Sequence, residues 1–209
     1  MKAYKIFWAV VLALGLAGGF YYRYHKNKAD DRGATVLMRS FEQPTDTREV
    51  VRLIKHTKDM NEKDKAGQTA LFYAVRHTQD VSLVRRLIDS GADVTSADNS
   101  GRTALMVSVR NNPSLEILQE LIARGAPVEA TDKKGQTALL EAAQYGTPDM
   151  VKILLRAGAN PEVVNKEGKT VHALISENKR FSEEEKENFK QALIVLSIIG
   201  PIRAIEPSK

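Results

Sequence analysis

The acid–base side chains with the most regular spacing are three aspartates, Asp64, Asp98 and Asp132, and each opens a near-identical block of eight residues. A carboxylate can act as a general base or bind a metal, but both roles need partner groups nearby. Here a glycine stands at the fourth position of each block instead. This pattern suits a tight turn in which the Asp side chain accepts hydrogen bonds from its own backbone. We therefore predict that the three aspartates are structural.

The other residue types used in catalysis do not form a recognisable pattern. The histidines stand in unrelated positions, and we find no metalloprotease, nucleophile-elbow or phosphate-loop motif around them: His25, His56, His77, His172. Cysteine is absent, which excludes disulfides, thiolate zinc sites and a cysteine nucleophile. We expect no catalytic, cofactor-binding or metal-binding residue, and hence no enzyme.

The blocks recur with a fixed period. A weaker fourth copy begins at Asn165, and the turn glycines are evenly spaced, except that the last interval is shorter by a single residue: Gly67, Gly101, Gly135, Gly168. Self-similarity at a period of this length is typical of a solenoid of stacked units. A threonine two positions after each glycine can cap the N-terminus of a helix: Thr69, Thr103, Thr137, Thr170.

A second apolar run at helical spacing follows in each of the first three copies. It ends at a glycine suited to the left-handed conformation after a helix: Gly91, Gly125, Gly158. The predicted unit is therefore turn, helix, loop, helix, and the fold class is all-α.

These blocks resemble ankyrin repeats. The family's helix-end motif, Leu-Leu-x-x-Gly-Ala-Asp, is matched closely at residues 87–93 and 154–160. The helix-start motif, Gly-x-Thr-Pro-Leu-His, is matched with Ala at the Pro position and Phe, Met or Leu at the His position: Ala70, Ala104, Ala138, Phe72, Met106, Leu140. The resemblance implies a solenoid of stacked helix pairs with hairpin loops, and a protein that binds other proteins.

The predicted organisation is one solenoid with caps. Its segments are an N-terminal hydrophobic helix at 1–22, a linker at 23–32, a capping helix pair at 33–63, ankyrin repeats at 64–97, 98–131 and 132–164, a capping repeat at 165–200 and a tail at 201–209. The N-terminal pair is expected to lack the hairpin glycine. Ser182 and Glu185 form a capping box that starts the last helix.

The segment 6–22 is an uncharged run whose length, about 17 residues, is at the lower limit for a membrane-spanning helix. The run is either an uncleaved signal anchor or a signal peptide that is removed. Basic residues on its two sides nearly balance, so the positive-inside rule does not decide orientation. A short basic lead before an apolar segment favours export. We expect a single-pass inner-membrane protein with periplasmic repeats, or a soluble periplasmic protein after cleavage.

The net charge of +5 and the isoelectric point near 9.3 favour a partner with an acidic surface or cleft. In ankyrin proteins, partners usually contact the hairpin tips and the exposed side of the first helix. At those places this sequence has basic and aromatic residues, which we predict to bind a protein partner: Lys65, Tyr73, Arg76, His77, Arg102, Arg110, Lys133, Lys134, Tyr145, Lys166, Lys169. Nucleic acid is an unfavoured partner outside the cytoplasm. We expect a monomer.

Three functions fit this picture. The first is an inhibitor, in the manner of an immunity or self-protection protein, that covers the active-site cleft of an envelope hydrolase. The second is a scaffold that supports a periplasmic or membrane enzyme. The third is a membrane adaptor that faces the cytoplasm. The resemblance and the N-terminal segment favour the first, and neither names the partner.

Overall fold

The computed structural model describes residues 29–42 and 46–199. Ten α-helices occupy these residues, which contain two isolated bridges but no β-strand. In chain order the helices are α1 Val36–Glu42, α2 Thr47–His56, α3 Ala70–His77, α4 Val81–Asp89, α5 Ala104–Asn111, α6 Leu115–Ala123, α7 Ala138–Tyr145, α8 Pro148–Arg156, α9 Val171–Glu177 and α10 Glu183–Ile199. The prediction of an all-α fold is confirmed for this part of the chain.

The helices form two layers. Helices α1, α3, α5, α7 and α9 pack side by side as an inner layer, and α2, α4, α6 and α8 pack as an outer layer. The inner helices are rich in apolar residues, and every residue from Ala70 to Val75 is buried. The outer helices bury one stripe, such as Leu83, Val84 and Leu87 in α4. The core is therefore a continuous layer of apolar side chains between the inner and outer helices, as expected of a stack in which each unit contacts its neighbours.

Each unit begins with a turn built around one carboxylate or amide. In the turn at Asp98, Oδ1 accepts hydrogen bonds from the backbone N–H groups of Ser100 at 2.8 Å and Arg102 at 3.0 Å. Gly101 follows with φ of +82°, a conformation that L side chains rarely adopt. The same pair of bonds recurs at four other positions: Asp30, Asp64, Asp132, Asn165. The structural role predicted for the aspartates is confirmed.

The turn at Asp30 corrects one prediction. Gly33 has φ of +81° and stands one repeat length before Gly67, so the first unit does have the hairpin glycine. The expectation of a missing glycine was wrong because the following residues depart from the repeated motif while the turn itself is kept. The first unit therefore begins at Asp30, inside the segment assigned to the linker.

Neighbouring turns are joined through their backbones. One N–H group of each turn donates to a carbonyl oxygen of the turn before it, at nearly identical distances along the stack: Lys65 to Arg32 at 2.8 Å, Asn99 to Ala66 at 2.9 Å, Lys133 to Ser100 at 2.9 Å, Lys166 to Lys134 at 3.0 Å. The hairpins thus form a ladder that sets the register between units.

The helix ends match the predictions, with one exception. The hydroxyls of Thr103, Thr137 and Thr170 each accept a hydrogen bond from a backbone N–H in the first turn of the helix. Thr69 does not, and its buried hydroxyl has no hydrogen-bond partner among the described residues. The glycines after α4, α6 and α8 are left-handed, and the capping box is formed between Ser182 and Glu185.

Two buried asparagines connect neighbouring units through side-chain hydrogen bonds. Asn112 donates from Nδ2 to the carbonyl oxygens of Val75 at 2.9 Å and Thr78 at 2.6 Å, at the end of the preceding inner helix. Asn178 makes the corresponding bonds to Ala143 and Gly146. These side chains satisfy carbonyl groups that a helix end leaves without an internal partner.

The predicted hydrophobic helix at 1–22 and the tail at 201–209 lie outside the described residues. Among the residues that the structure does describe, none of the helices combines the length and apolar character needed to cross a bilayer.

We predict that Gly101→Ala destabilises the protein more than Gly125→Ala. Both glycines are left-handed, with φ of +82° and +84°, so each substitution carries a backbone cost of roughly 1 to 2 kcal/mol. A Cβ at Gly101 would also lie 3.2 Å from the Cα of Asp132, whereas at Gly125 no described atom lies within 4 Å. Urea unfolding should show the larger loss at Gly101. Equal losses of unfolding free energy for the two variants would contradict a contribution from the close approach of Gly101 to Asp132.

We predict that Asn112→Ala lowers the free energy of unfolding by roughly 1 to 3 kcal/mol, because two buried carbonyl groups lose their donor. The matched control is Asn111→Ala, since Asn111 is exposed and donates within its own helix, to Val107. An exposed substitution of this kind is expected to change stability by about 0.5 kcal/mol or less. Thermal or urea unfolding of both variants provides the comparison, and similar losses would contradict the proposed role of Asn112.

Candidate functional site: a polar groove on the concave face

A groove of about 640 Å³ lies where three successive turns meet the ends of the inner helices. Its lining is mostly polar and comes from the third, fourth and fifth units: Asn99, Ser100, Arg102, Arg110, Asp132, Lys133, Lys134, Gln136, Glu141, Gln144, Tyr145, Asn165, Glu167. The turns supply one wall and the last turns of α5 and α7 supply the other. We call it the concave groove.

An arginine held between two partners stands at the middle of the concave groove. Arg110, in the last turn of α5, donates from Nη1 to Oε2 of Glu141 at 3.1 Å. Its guanidinium carbon lies 4.2 Å from the ring centroid of Tyr145, which is a cation–π contact. The Arg110 side chain is 41% exposed whereas that of Glu141 is 4% exposed. The carboxylate is therefore buried beneath the cation, which faces the groove.

A second arginine is fixed in the turn of the same unit. Arg102 pairs through Nη2 with Oδ2 of Asp98 at 3.0 Å. Gln68 donates to the same carboxylate oxygen at 3.3 Å, and Arg76 donates to Oε1 of Gln68 at 3.1 Å. A row of side chains from two units thus converges on one buried carboxylate.

The fourth and fifth units carry a chain of amides. Asn165 donates to Oε1 of Gln136 at 3.2 Å, and Gln136 donates to Oε1 of Gln144 at 3.2 Å. Gln144 stands one repeat after Arg110, which itself stands one repeat after Arg76. Hydrogen-bond donors therefore recur at the same position of three inner helices.

The structure separates the predicted partner-binding residues into groups. Five line the concave groove: Arg102, Arg110, Lys133, Lys134, Tyr145. Four more lie on turns or helix ends outside that lining: Lys65, Arg76, Lys166, Lys169. His77 lies exposed at the end of α3, and only Tyr73 departs from what was expected of it.

Tyr73 does not lie on the surface. It is 3% exposed, and its hydroxyl donates to Oδ2 of Asp64 at 2.9 Å. Burial and this bond raise the pKa of Tyr73 to about 12. The repeat register explains the difference, because Tyr73 aligns with the buried Val107 and Glu141, whereas Tyr145 aligns with the exposed Asn111. The expectation that Tyr73 is an exposed anchor was therefore wrong. It was based on the residue type, whereas the position in the repeat determines burial.

His77 lies at the exposed end of α3 but adds no charge at neutral pH. Partial burial, with a smaller contribution from the cationic Arg76, lowers the pKa of its imidazole from the usual 6.5. At pH 7 the ring is mainly neutral, so it acts as a hydrogen-bonding group.

The concave groove carries less net positive charge than its predicted basic residues alone would give. Its lining contains four basic side chains and three acidic ones, Asp132, Glu141 and Glu167. The arginines are paired with carboxylates, whereas Lys133 and Lys134 are exposed at the turn tip. Sequence reasoning missed Glu141. Its signal was a charged residue at a register position that is Val or Leu in neighbouring units.

The two buried carboxylates respond to their surroundings in opposite directions. For Asp98, burial favours the neutral form, but the backbone N–H groups of Arg102 and Ser100 and the Arg102 guanidinium outweigh it and lower the pKa. For Glu141, burial dominates and raises the pKa, although Arg110 acts against it. The difference follows from hydrogen bonding, because Glu141 lacks the two backbone donors of a turn.

This arrangement is suited to recognition. It offers guanidinium, ammonium and amide donors along one groove, and an aromatic ring beside them, the residue types that most often carry interface energy. Among the described residues there is no group of three or more His, Asp or Glu side chains that could hold a metal ion.

Comparison with protein families matches the chain to the model described as ankyrin repeats (3 copies), in four overlapping segments: residues 10–98, 37–132, 77–165 and 105–182. Together these cover most of the sequence. The chain belongs to the ankyrin repeat family. Ankyrin repeats are protein-interaction modules. The comparison with curated proteins gave no match.

We predict opposite pH dependences for two variants of the ankyrin core. The lowered pKa of Asp98 means that the folded state binds fewer protons, so its contribution is present above the ordinary value of 3.8 and lost as pH falls. The raised pKa of Glu141 means that its contribution is present below the ordinary value of 4.5 and lost as pH rises.

Urea unfolding from about pH 3 to about pH 7 measures both effects. As pH rises, the stability advantage of the parent chain over Asp98→Asn should grow, and its advantage over Glu141→Gln should shrink. Parallel curves for the two variants would contradict the assignment of opposite shifts.

Proposed function

We propose that this chain is a non-catalytic ankyrin-repeat protein of the bacterial envelope that binds one protein partner through its concave groove. The observation that carries the proposal is the groove itself, where Arg110 is held between Glu141 and Tyr145 beside the exposed Lys133 and Lys134. Fixed side chains lose little conformational entropy on binding, so this centre is suited to carry affinity.

The exposed lysines would act mainly on the rate of encounter. Charges at the rim of an interface steer an oppositely charged partner and make association depend on ionic strength. Lys133 and Lys134 stand together at one turn tip, where they attract an acidic surface. The buried carboxylates at the groove centre would repel acidic groups of the partner. We therefore expect those groups to contact the lysines at the rim and the guanidinium groups of the arginines.

We further propose that the partner is an envelope hydrolase that this protein inhibits, as an immunity or self-protection protein does. Two features support the proposal. The N-terminal sequence has the basic lead and apolar run of an exported segment. An ankyrin groove can also cover an active-site cleft without chemistry of its own. The protein would then be anchored in the inner membrane with periplasmic repeats, or be free in the periplasm after cleavage.

Cross-linking in cells, purification of the full-length chain from envelope fractions and assay of the captured protein test this proposal. Inhibition requires that the partner's activity rises when it is released from the complex. A fall in activity on release favours a scaffold that supports the enzyme. A second test fuses, after Lys209, a reporter that works only in the cytoplasm. Activity of this fusion would contradict a periplasmic location of the repeats.

We predict that changing Lys133 and Lys134 together to Glu weakens partner binding and reverses its salt dependence, with folding unchanged. The matched control changes Lys55 and Lys152 to Glu, because both are exposed on the outer layer and the net charge change is the same. Binding kinetics at two salt concentrations measure the effect, which should lie mainly in the association rate. Equal effects of the two double variants would contradict binding at the concave groove.

A further inference from the structure

We propose that the inner-helix ends from Arg76 to the concave groove, which Arg110 lines, bind an extended, acidic segment of the partner in which carboxylates recur at every third residue. This inference deepens the proposed function and depends on it. The observation behind it is the periodic row of donors at the ends of three inner helices, Arg76, Arg110 and Gln144.

The spacing of the row comes from helix packing. Helices α3, α5 and α7 pack side by side, and packed helices lie about 8 to 10 Å apart. The three donors occupy equivalent positions in successive repeats, so they should recur along the stack at that same distance. A partner that satisfies two of them at once needs acceptors with a matching repeat.

Among extended backbone conformations, one provides this repeat on a single face. The polyproline II helix has about 3 residues per turn and rises about 3.1 Å per residue, so side chains three residues apart point the same way, roughly 9 Å apart. In a β-strand, side chains on one face recur every second residue, about 6.6 Å apart. The strand spacing is too short for neighbouring donors, and its next multiple is too long.

The chemistry of the groove also favours this conformation. A polyproline II segment has no internal backbone hydrogen bonds, so its carbonyl groups need donors. The amides of Gln136 and Gln144 lie in the groove beside Arg110. The ion pair of Arg110 uses Nη1, and the hydrogen bond of Arg76 to Gln68 also uses Nη1. Each guanidinium is thereby held in place, and an incoming carboxylate would pair with its other N–H groups.

Charge along the row indicates where the acidic segment lies. Glu42 precedes Arg76 in the row and Glu177 follows Gln144. Glu42 is paired with Arg32 and Glu177 with Lys169, each within its own unit. The cationic part of the row is therefore confined to the second and third units. An acidic segment is attracted there and is not extended to either end of the stack.

Labelled proline-rich peptides test the spacing. Three peptides of the same composition carry two glutamates separated by two, three or four positions, and their affinities for the full-length chain in a non-ionic detergent are compared by fluorescence anisotropy at low salt. We expect the peptide with a separation of three to bind roughly two- to fivefold more tightly, as one additional exposed ion pair gives. Equal affinities, or tighter binding of a single-stranded oligonucleotide, would overturn the inference.

Variants locate the effect. Arg76→Gln should abolish the preference for a separation of three, as should Arg110→Gln combined with Glu141→Gln, which leaves no buried carboxylate without its partner. The control Arg86→Gln removes an exposed arginine of α4 and should keep the preference. A preference that survives both Arg76→Gln and the Arg110 and Glu141 double variant overturns the inference.

Failure of the inference and failure of the proposed function can be told apart. If the peptides show no spacing preference but the Lys133 and Lys134 variant still loses the captured partner, the concave groove binds a segment of another shape. If the Lys133 and Lys134 variant and Arg76→Gln both leave partner binding unchanged, the groove is not the binding face and both proposals fail.

Discussion

The structure depends on one local constraint, which is that the turn opening each unit satisfies its backbone through a single side chain. An Asp or Asn oxygen accepts two N–H groups of its own turn, and this leaves a third N–H pointing at the carbonyl of the preceding turn. Buried or half-buried backbone groups need such partners. Because the same geometry recurs at each of five positions, the units stack with constant register, and the ladder of turns runs beside the layer of inner helices.

The concave groove is a consequence of that register. Turns and inner-helix ends of successive units lie side by side along the stack. Side chains one repeat apart along the chain therefore become neighbours. Arg110 reaches Glu141 of the next unit, and Gln68 reaches Asp98 of the next unit. The groove is therefore held together by contacts between units, and its two arginines pair with buried carboxylates.

Much of the fold was predictable, because its causes are local. The turn glycines, the threonine caps and the left-handed helix ends each depend on a few adjacent residues, and the period of the sequence made them visible. The missing prediction at Gly33 shows the limit of pattern matching. The turn there keeps Asp30 and Gly33 while the residues after it differ, so the hairpin glycine of the predicted capping pair was missed although its distance from Gly67 matches the repeat.

The sequence by itself determined the repeating unit, its helical character, its caps and the set of polar residues near the turns, since these follow from short-range backbone preferences. Only the tertiary structure decided which of those residues face a partner. It buried Tyr73, paired Arg102 and Arg110 with carboxylates and left Lys133 and Lys134 exposed. The physical reason is that exposure, ion pairing and pKa depend on how turns and helices pack against one another. For Arg110 the deciding carboxylate, Glu141, lies in the neighbouring unit, about one repeat away along the chain.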